Sequence, residues 1–301
     1  MKNKIFHTQD LCLRTLDTNL MCERQKLSHY APKTCAEMRI KMKHTFVICA
    51  YKESSFLEEC ILSLKAQTVK SEIFIATSTP NKYIEDIAGK YGLKIFVNNG
   101  QKGITQDWNF GLSNVRTKYA TVAHQDDIYE PHYAEKLIRL MERHKDSVIA
   151  FSDYSELRNG EKVHDTTMLK IKRIMLMPLR IKKFWKSRFV RRRILSMGDP
   201  ICCPAVTFNL KNVKRPIFSD GFRSCEDWEA WEKLSRLKGE FIYVNEPLMC
   251  HRIHEESATT AIIHDNARVQ ENYIMYCKFW PKPIAKLINH FYTKSEKSNE
   301  I

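Results

Sequence analysis

The sequence predicts an α/β protein with a mostly parallel central sheet covered by helices on both faces. Three observations carry this. From residue 45, short apolar runs rich in β-formers alternate with amphipathic helical patterns, and that rhythm requires right-handed crossovers and a parallel sheet. Turn-forming residues fall between the runs, as at Thr79-Pro80-Asn81 and Gly92. With 301 residues, 43% of them hydrophobic, the chain can bury one large core or two smaller ones.

Thr45 to Tyr51 reads as a buried strand, and Ser55 with Glu58 three residues later has the form of a capping box opening a helix. Ile73 to Ala76 is a second strand. The helix after it places Tyr83, Ile84, Ile87 and Tyr91 on one face before Gly92 stops it, and Leu93 to Val97 is a third strand. A polar turn, Asn98 to Gly103, leads into a helix with Trp108, Leu112 and Val115 inward. The fourth strand, Tyr119 to Ala123, delivers His124-Gln125-Asp126-Asp127 to the carboxyl edge of the sheet, where ligands of such sheets bind.

Pro131 is expected to start a helix, and Val148 to Phe151 a strand ending at Asp153. Asn159-Gly160 marks a hairpin turn. Further on come a strand at Ala205 to Phe208, a helix from Asp227 to Leu237 stopped by Gly239, a strand at Phe241 to Val244, and a helix from His264 to Phe279 ended by Trp280-Pro281. The expected organisation is an N-terminal extension over 1–41 that contributes nothing to the fold, a domain over 42–260 with a basic helical segment at 166–198, and a C-terminal helix with a polar tail over 261–301.

Composition excludes collagen, stalks and low-complexity linkers. No run approaches the roughly 18 apolar residues of a spanning helix, and the N-terminus lacks the apolar stretch of a secretory signal, so the chain is expected in the cytoplasm. Ten cysteines show no C-x-x-C pair and no zinc spacing, which points to reduced, buried thiols. The net charge is +14, but residues 166–198 alone hold eleven Lys or Arg and no acid, and residues 1–44 hold nine against four acids. Basicity is therefore local. That argues against a nucleic-acid-binding protein, as does the lack of any recognised nucleic-acid motif. Within 166–198, Trp185, Phe184 and Phe189 interleave with the cations, and Pro178 divides two helical pieces. The pattern fits a solvated basic helix pair, or an interfacial anchor on anionic lipid.

Several residues could carry chemistry. Asp126 and Asp127 at a strand end could hold Mg²⁺ or Mn²⁺ together with a phosphate, or form a solvated turn capping the next helix. Glu226-Asp227-Trp228 opens a helix, where acids belong for dipole reasons, and Asp227 could also serve as a general base. In the extended segment His251-Arg252-Ile253-His254, Arg252 and His254 point the same way and could reach one diphosphate or metal, or be surface residues. Lys102, beside Gly103, could touch a phosphate. Trp108 and Trp185 fit packing better than sugar stacking. No Gly-x-Gly-x-x-Gly or Walker loop occurs.

In order and spacing, TFVICAYKESSFLEECILSLKAQT, QDWNFGLSNV, HQDDIYEP, CEDWEAW and HRIHEES resemble the glycosyltransferase family 2 enzymes over roughly residues 44–260. The resemblance implies the GT-A fold, a Rossmann-like architecture, and an inverting, metal-dependent hexosyltransferase that moves a sugar from a nucleotide diphosphate donor to an acceptor hydroxyl. It implies Asp227 as catalytic base, and Asp127 and Asp126 as the metal and diphosphate motif. Arg252 and His254 would close over the diphosphate, with His254 also a metal ligand. Ala50, Tyr51, Glu53, Thr77 and Lys102 would line the donor.

Two positions depart from the family. Thr77-Ser78 stands where its acidic nucleoside pair would be, and His124 replaces the first acid of the metal motif. The expected cofactor is Mg²⁺ or Mn²⁺. The expected partners are a nucleotide sugar, a glycan or lipid-linked acceptor, and an anionic membrane surface through 166–198 on the inner face of the cell membrane, with no nucleic acid. A role in bacterial surface polysaccharide or glycolipid synthesis follows. The alternative is a non-catalytic sugar-nucleotide or polysaccharide-binding relative of the same fold.

Overall fold

The computed structural model describes residues 42–254 and 267–297. The expectations for residues 1–41 lie outside the described residues.

The parallel half of the sheet matches the sequence reading closely. β1 (His44–Cys49), β2 (Glu72–Thr77), β3 (Lys94–Val97) and β4 (Tyr119–His124) pair in parallel in the order β3-β2-β1-β4. Successive residues Thr45, Phe46, Val47 and Ile48 are all inaccessible, so both faces of β1 are covered and no polar alternation survives. The crossovers are α1 (Leu57–Lys65), α2 (Lys82–Tyr91) and α3 (Ile104–Asn114). α2 starts as its sequence suggests, with the Asn81 side chain accepting from the Ile84 amide at 2.9 Å, and ends on Gly92 in the left-handed region. α1 does not use the Ser55–Glu58 box. It starts later, with Phe56 as an uncapped N-cap, because Ser54 supplies the first turn by accepting the Leu57 amide on its carbonyl. α4 (Tyr133–Arg143) likewise begins two residues beyond Pro131.

The other half of the sheet is mixed. β6 (Ser147–Arg158) turns through Asn159 and Gly160, both at positive φ, into β7 (Glu161–Val163). β8 (Val206–Asn209) inserts antiparallel between β4 and β6. Its four buried residues look the same from either direction, which is why periodicity predicted only a strand and not its sense. β9 (Glu240–Ile253) runs parallel to β6 and far beyond the expected Val244, with register shifts near its middle. Its far end pairs antiparallel with the two-residue β5 (Ile128–Tyr129), Ile128 facing Cys250 and Tyr129 facing Met249. That pairing brings His251 and Arg252 to the residues just before β5.

The basic stretch forms α5 (Thr167–Leu176), two 3₁₀ turns around Pro178, and α6 (Arg188–Leu195), each α-helix capped by a hydroxyl side chain. Trp185 is buried, as packing would have it. α7 (Glu226–Ser235) carries Trp228 and Trp231 into the core. After α8 (Ala267–Cys277) comes a further helix that the sequence does not signal, α9 (Lys282–Lys297), with Pro281 and Pro283 marking its start. All seven cysteines among the described residues are free thiols.

Gly239 launches β9 at φ +121°, and a Cβ there would lie 2.2 Å from the Asp146 carbonyl oxygen. Gly239→Ala is therefore expected to cost about 2–4 kcal/mol through backbone strain and overlap, read as a fall of roughly 5–10 °C in thermal midpoint by circular dichroism. An unchanged midpoint would contradict this account of the α7–β9 junction.

Candidate active site

Asp127 is wholly buried at the turn between β4 and β5. Its Oδ1 accepts from the Arg252 amide at 2.9 Å and is 3.0 Å from His251 Nδ1. Its Oδ2, equally buried, has no hydrogen-bond partner among the described residues, and the same is true of His124 Nε2. His124 Nδ1 stands 3.7 Å from that oxygen, and its ring stacks on Trp108 with 5.2 Å between centroids. A buried carboxylate oxygen left unpaired is costly, and such an oxygen is able to coordinate a cation. His124, Asp126 and Asp127 each offer a donor atom within 4.8 Å of the others. Two donors about 2.1 Å from one small divalent ion lie roughly 3–4 Å apart, so the His124–Asp127 spacing fits one.

Asp126 is held from the other side. His254 Nε2 is 2.9 Å from its Oδ2, and Arg252 Nε donates to its carbonyl oxygen at 2.8 Å. Arg252 also pairs with Glu59 and lies 4.2 Å over the Phe56 ring. Burial works to raise the pKa of Asp126, but His124, His254 and His251 outweigh it and the carboxyl stays below its usual range. For His251 burial works downward, yet the Asp127 carboxylate prevails and the imidazole is raised. His251, which the sequence reading left aside, thus holds Asp127. His254 and Arg252, expected on the metal or diphosphate, are seated on Asp126.

At the end of β1, Ala50 is buried and its amide bonds the Ala76 carbonyl. Tyr51 is exposed, its backbone clipped at 3.0 and 3.1 Å by the Gln125 side chain. Lys52, at φ 55°, donates its amide to Thr79 Oγ1 at 2.6 Å, and Glu53 is exposed beside it. Thr77 is buried and its Oγ1 accepts the Thr79 amide. Ser78 and Asn98 both donate to Asp107, at 2.6 and 2.7 Å. The acid absent from Thr77-Ser78 is thus replaced in space by a buried carboxylate from the first turn of α3. Only an acid among the inward residues of that helix could have signalled it. Lys102 is exposed in the turn before α3, and no described contact joins it to Asp126 or Asp127.

Asp227 lies in the first turn of α7, its Oδ1 accepting from the Trp228 amide at 2.8 Å. Its partner, invisible to sequence reasoning, is Asp199, whose carboxyl is within hydrogen-bonding reach. Burial and then the Asp227 charge push Asp199 well above the usual carboxylate range, with Lys172 opposing, so Asp199 is held in its protonated form. Lys172 of α5 donates to Tyr154 OH at 3.0 Å. Burial first, and then the Asp127, Asp227 and Asp199 charges, push the Cys202 thiol well above its usual range, with Lys172 opposing. Burial keeps that thiol protonated, so it is not a nucleophile.

The site so described has a buried acid with an unpartnered oxygen at the carboxyl edge of the sheet and a second carboxylate in the first turn of a helix. Residues 45–213 match the model of the family "Glycosyl transferase family 2", and the chain belongs to that family. It is 26% identical over 226 residues to an uncharacterized glycosyltransferase of Rickettsia typhi, covering 73% of this chain and 67% of that one. A similar protein of Haemophilus influenzae is 24% identical over 230 residues, covering 73% and 68%. Among solved structures, S. aureus TarS 1-349 in complex with UDP-GlcNAc superposes with TM-score 0.57 at 15% identity, over 82% of this chain and 70% of that one. The mannosyltransferase PcManGT from Pyrobaculum calidifontis, in complex with GDP-Man and Mn²⁺, gives 0.56 at 12% identity, over 83% and 69%. These two likenesses establish the fold.

Glu226, next to the Asp227 pair, is buried, and burial with the Asp227 and Glu271 charges raises its pKa from 4.5 to about 7. A raised carboxyl favours the fold while protonated, and that contribution is lost as pH climbs from the unfolded value through about 7. Glu226→Gln should match the wild type near pH 4 and exceed it above about pH 8 by on the order of 2–3 kcal/mol in urea unfolding. A stability gap independent of pH would contradict the assignment.

Proposed function

We propose that this glycosyltransferase moves a hexose from a nucleoside diphosphate to an acceptor hydroxyl with inversion, in the synthesis of a bacterial surface polysaccharide or glycolipid. The observation that carries the reading is the unpartnered Asp127 Oδ2 beside His124. Asp227 accepts the proton of the acceptor hydroxyl as the acceptor oxygen bonds to the anomeric carbon. The bond from that carbon to the diphosphate oxygen breaks on the opposite face, and its electron pair leaves with the diphosphate. Asp199, its own carboxyl held protonated by burial and by the Asp227 charge, keeps Asp227 oriented toward the acceptor.

Asp127, Asp126 and His124 would hold Mg²⁺ or Mn²⁺, whose charge offsets the charge growing on the leaving diphosphate. The PcManGT complex with Mn²⁺ and the TarS complex with UDP-GlcNAc support a divalent ion and a nucleotide sugar as ligands. Nucleoside recognition falls to Thr77, Ser78 and the backbone after β1, organised by Asp107. His254 and Arg252 hold Asp126 in place. The basic segment 166–198 fits attachment to the inner face of the cell membrane.

Two variants test this on a panel of nucleotide sugars with Mn²⁺, reading nucleoside diphosphate release. Asp127→Asn should abolish turnover and weaken diphosphate binding. Asp227→Asn should slow turnover roughly 10²- to 10⁴-fold, the range for losing a general base, while donor affinity holds. Full activity in EDTA would overturn the metal assignment. Equal loss of donor binding in Asp227→Asn would make that residue a ligand contact.

A further inference from the structure

The outer surface of the helices behind Asp227 is unlike the rest of the molecule. Ten of the fifteen exposed large apolar side chains among the described residues lie in 166–198 or in α8–α9. On α9, Ile284, Leu287 and Phe291 recur at helical spacing on one face, with Leu287 59% and Phe291 62% exposed, while Ala285, Ile288 and Tyr292 pack inward. On the basic stretch Ile174 is 65% and Phe189 71% exposed.

The two stretches form one surface. A Cβ on Gly198, just after α6, would lie 3.2 Å from the Tyr292 ring of α9 and 3.6 Å from Met175 of α5. Trp280, at the start of α9, donates to the Ser196 carbonyl at 2.8 Å, and Arg193 lies over both Trp280 and Phe189.

Charge completes the pattern. Lys170, Lys182, Lys183, Lys282 and Lys286 are exposed on this surface. Residues 166–198 contain no acid, and Glu271, the one acid of 267–292, is buried against the Arg223 and Ser224 amides. Exposed apolar groups rimmed by cations, with no exposed acid within 166–198 or 268–292, are complementary to an anionic bilayer, where apolar side chains enter the headgroup boundary and lysines meet phosphate. No helix among the described residues is long and apolar enough to cross a membrane, so such contact would be peripheral.

The inner faces of the same helices surround the acceptor side of the site. Lys172 of α5 acts on Asp199, and Trp228, next to Asp227, packs on Tyr276 and Tyr292. We infer that α5–α6 and α8–α9 together dock the protein on an anionic bilayer, which turns Asp227 toward an acceptor carried in that bilayer. The inference rests on Asp227 as the acceptor-side base and adds α9 to the basic segment.

The test is flotation of the full chain with vesicles of phosphatidylglycerol and phosphatidylcholine, or of phosphatidylcholine alone. Binding should require the anionic lipid and fall with salt. The triple variant Ile284→Ser, Leu287→Ser, Phe291→Ser should bind roughly tenfold more weakly or worse, with unchanged circular dichroism and unchanged hydrolysis of the donor by water. Lys182→Gln with Lys183→Gln and Lys286→Gln should remove most of the salt-sensitive part. Vesicle binding without any donor turnover would sink the catalytic reading and leave the docking face standing. Undiminished binding by the α9 variant, or a wild type that ignores vesicles and forms a dimer that this variant dissociates, would overturn the inference.

Discussion

The site depends on one short antiparallel pairing, two residues of β5 against the far end of β9. Because β5 begins immediately after Asp127, that register puts the Arg252 amide and the His251 ring on the same carboxylate oxygen. One oxygen of Asp127 is thereby satisfied and fixed, and the other is left facing His124 without a partner. A slip of one residue would reverse the facing of every side chain in β9 and seat Ile253 where Arg252 now lies. The bulges in β9 permit this arrangement, since they let a strand parallel to β6 bend toward β5.

Much of this was legible in the sequence, for identifiable reasons. The parallel half follows from runs such as TFVICAY, which are apolar on both faces, and from Asn81 and Gly92, which punctuate α2. Among the described residues, the motifs that suggested the family lie on β1 and α1, α3, the β4–β5 turn, α7 and the end of β9. What stayed hidden depends on contacts distant in sequence. The sense of β8 left no trace in four uniformly buried residues. Asp199 is an ordinary Asp-Pro in sequence and becomes informative only beside Asp227. Asp107 reads as a helix first-turn acid until Ser78 and Asn98 are seen to converge on it.

His124 shows how a departure from a motif can be absorbed. As a replacement for an acid it reads as a loss, yet its ring is stacked on Trp108 and aligned beside the vacant oxygen of Asp127. An imidazole donor would give the proposed cluster a mixed nitrogen and oxygen character, which shifts its preference away from Mg²⁺ and toward first-row transition ions. Each acid has its own support, with His251 on Asp127 and His254 and Arg252 on Asp126, and partners of this kind fix the orientation of carboxylates in metal sites generally.

The most direct measurement of the central claim is Mn²⁺ binding followed by electron paramagnetic resonance in the presence of a nucleoside diphosphate, for the wild type and His124→Ala. The account predicts a bound-ion signal in the wild type and affinity weakened by roughly tenfold or more in the variant, in line with the loss of a donor or its support. Equal affinity in both proteins, or no bound ion in either, would contradict the assignment of His124, Asp126 and Asp127 as the metal-holding group.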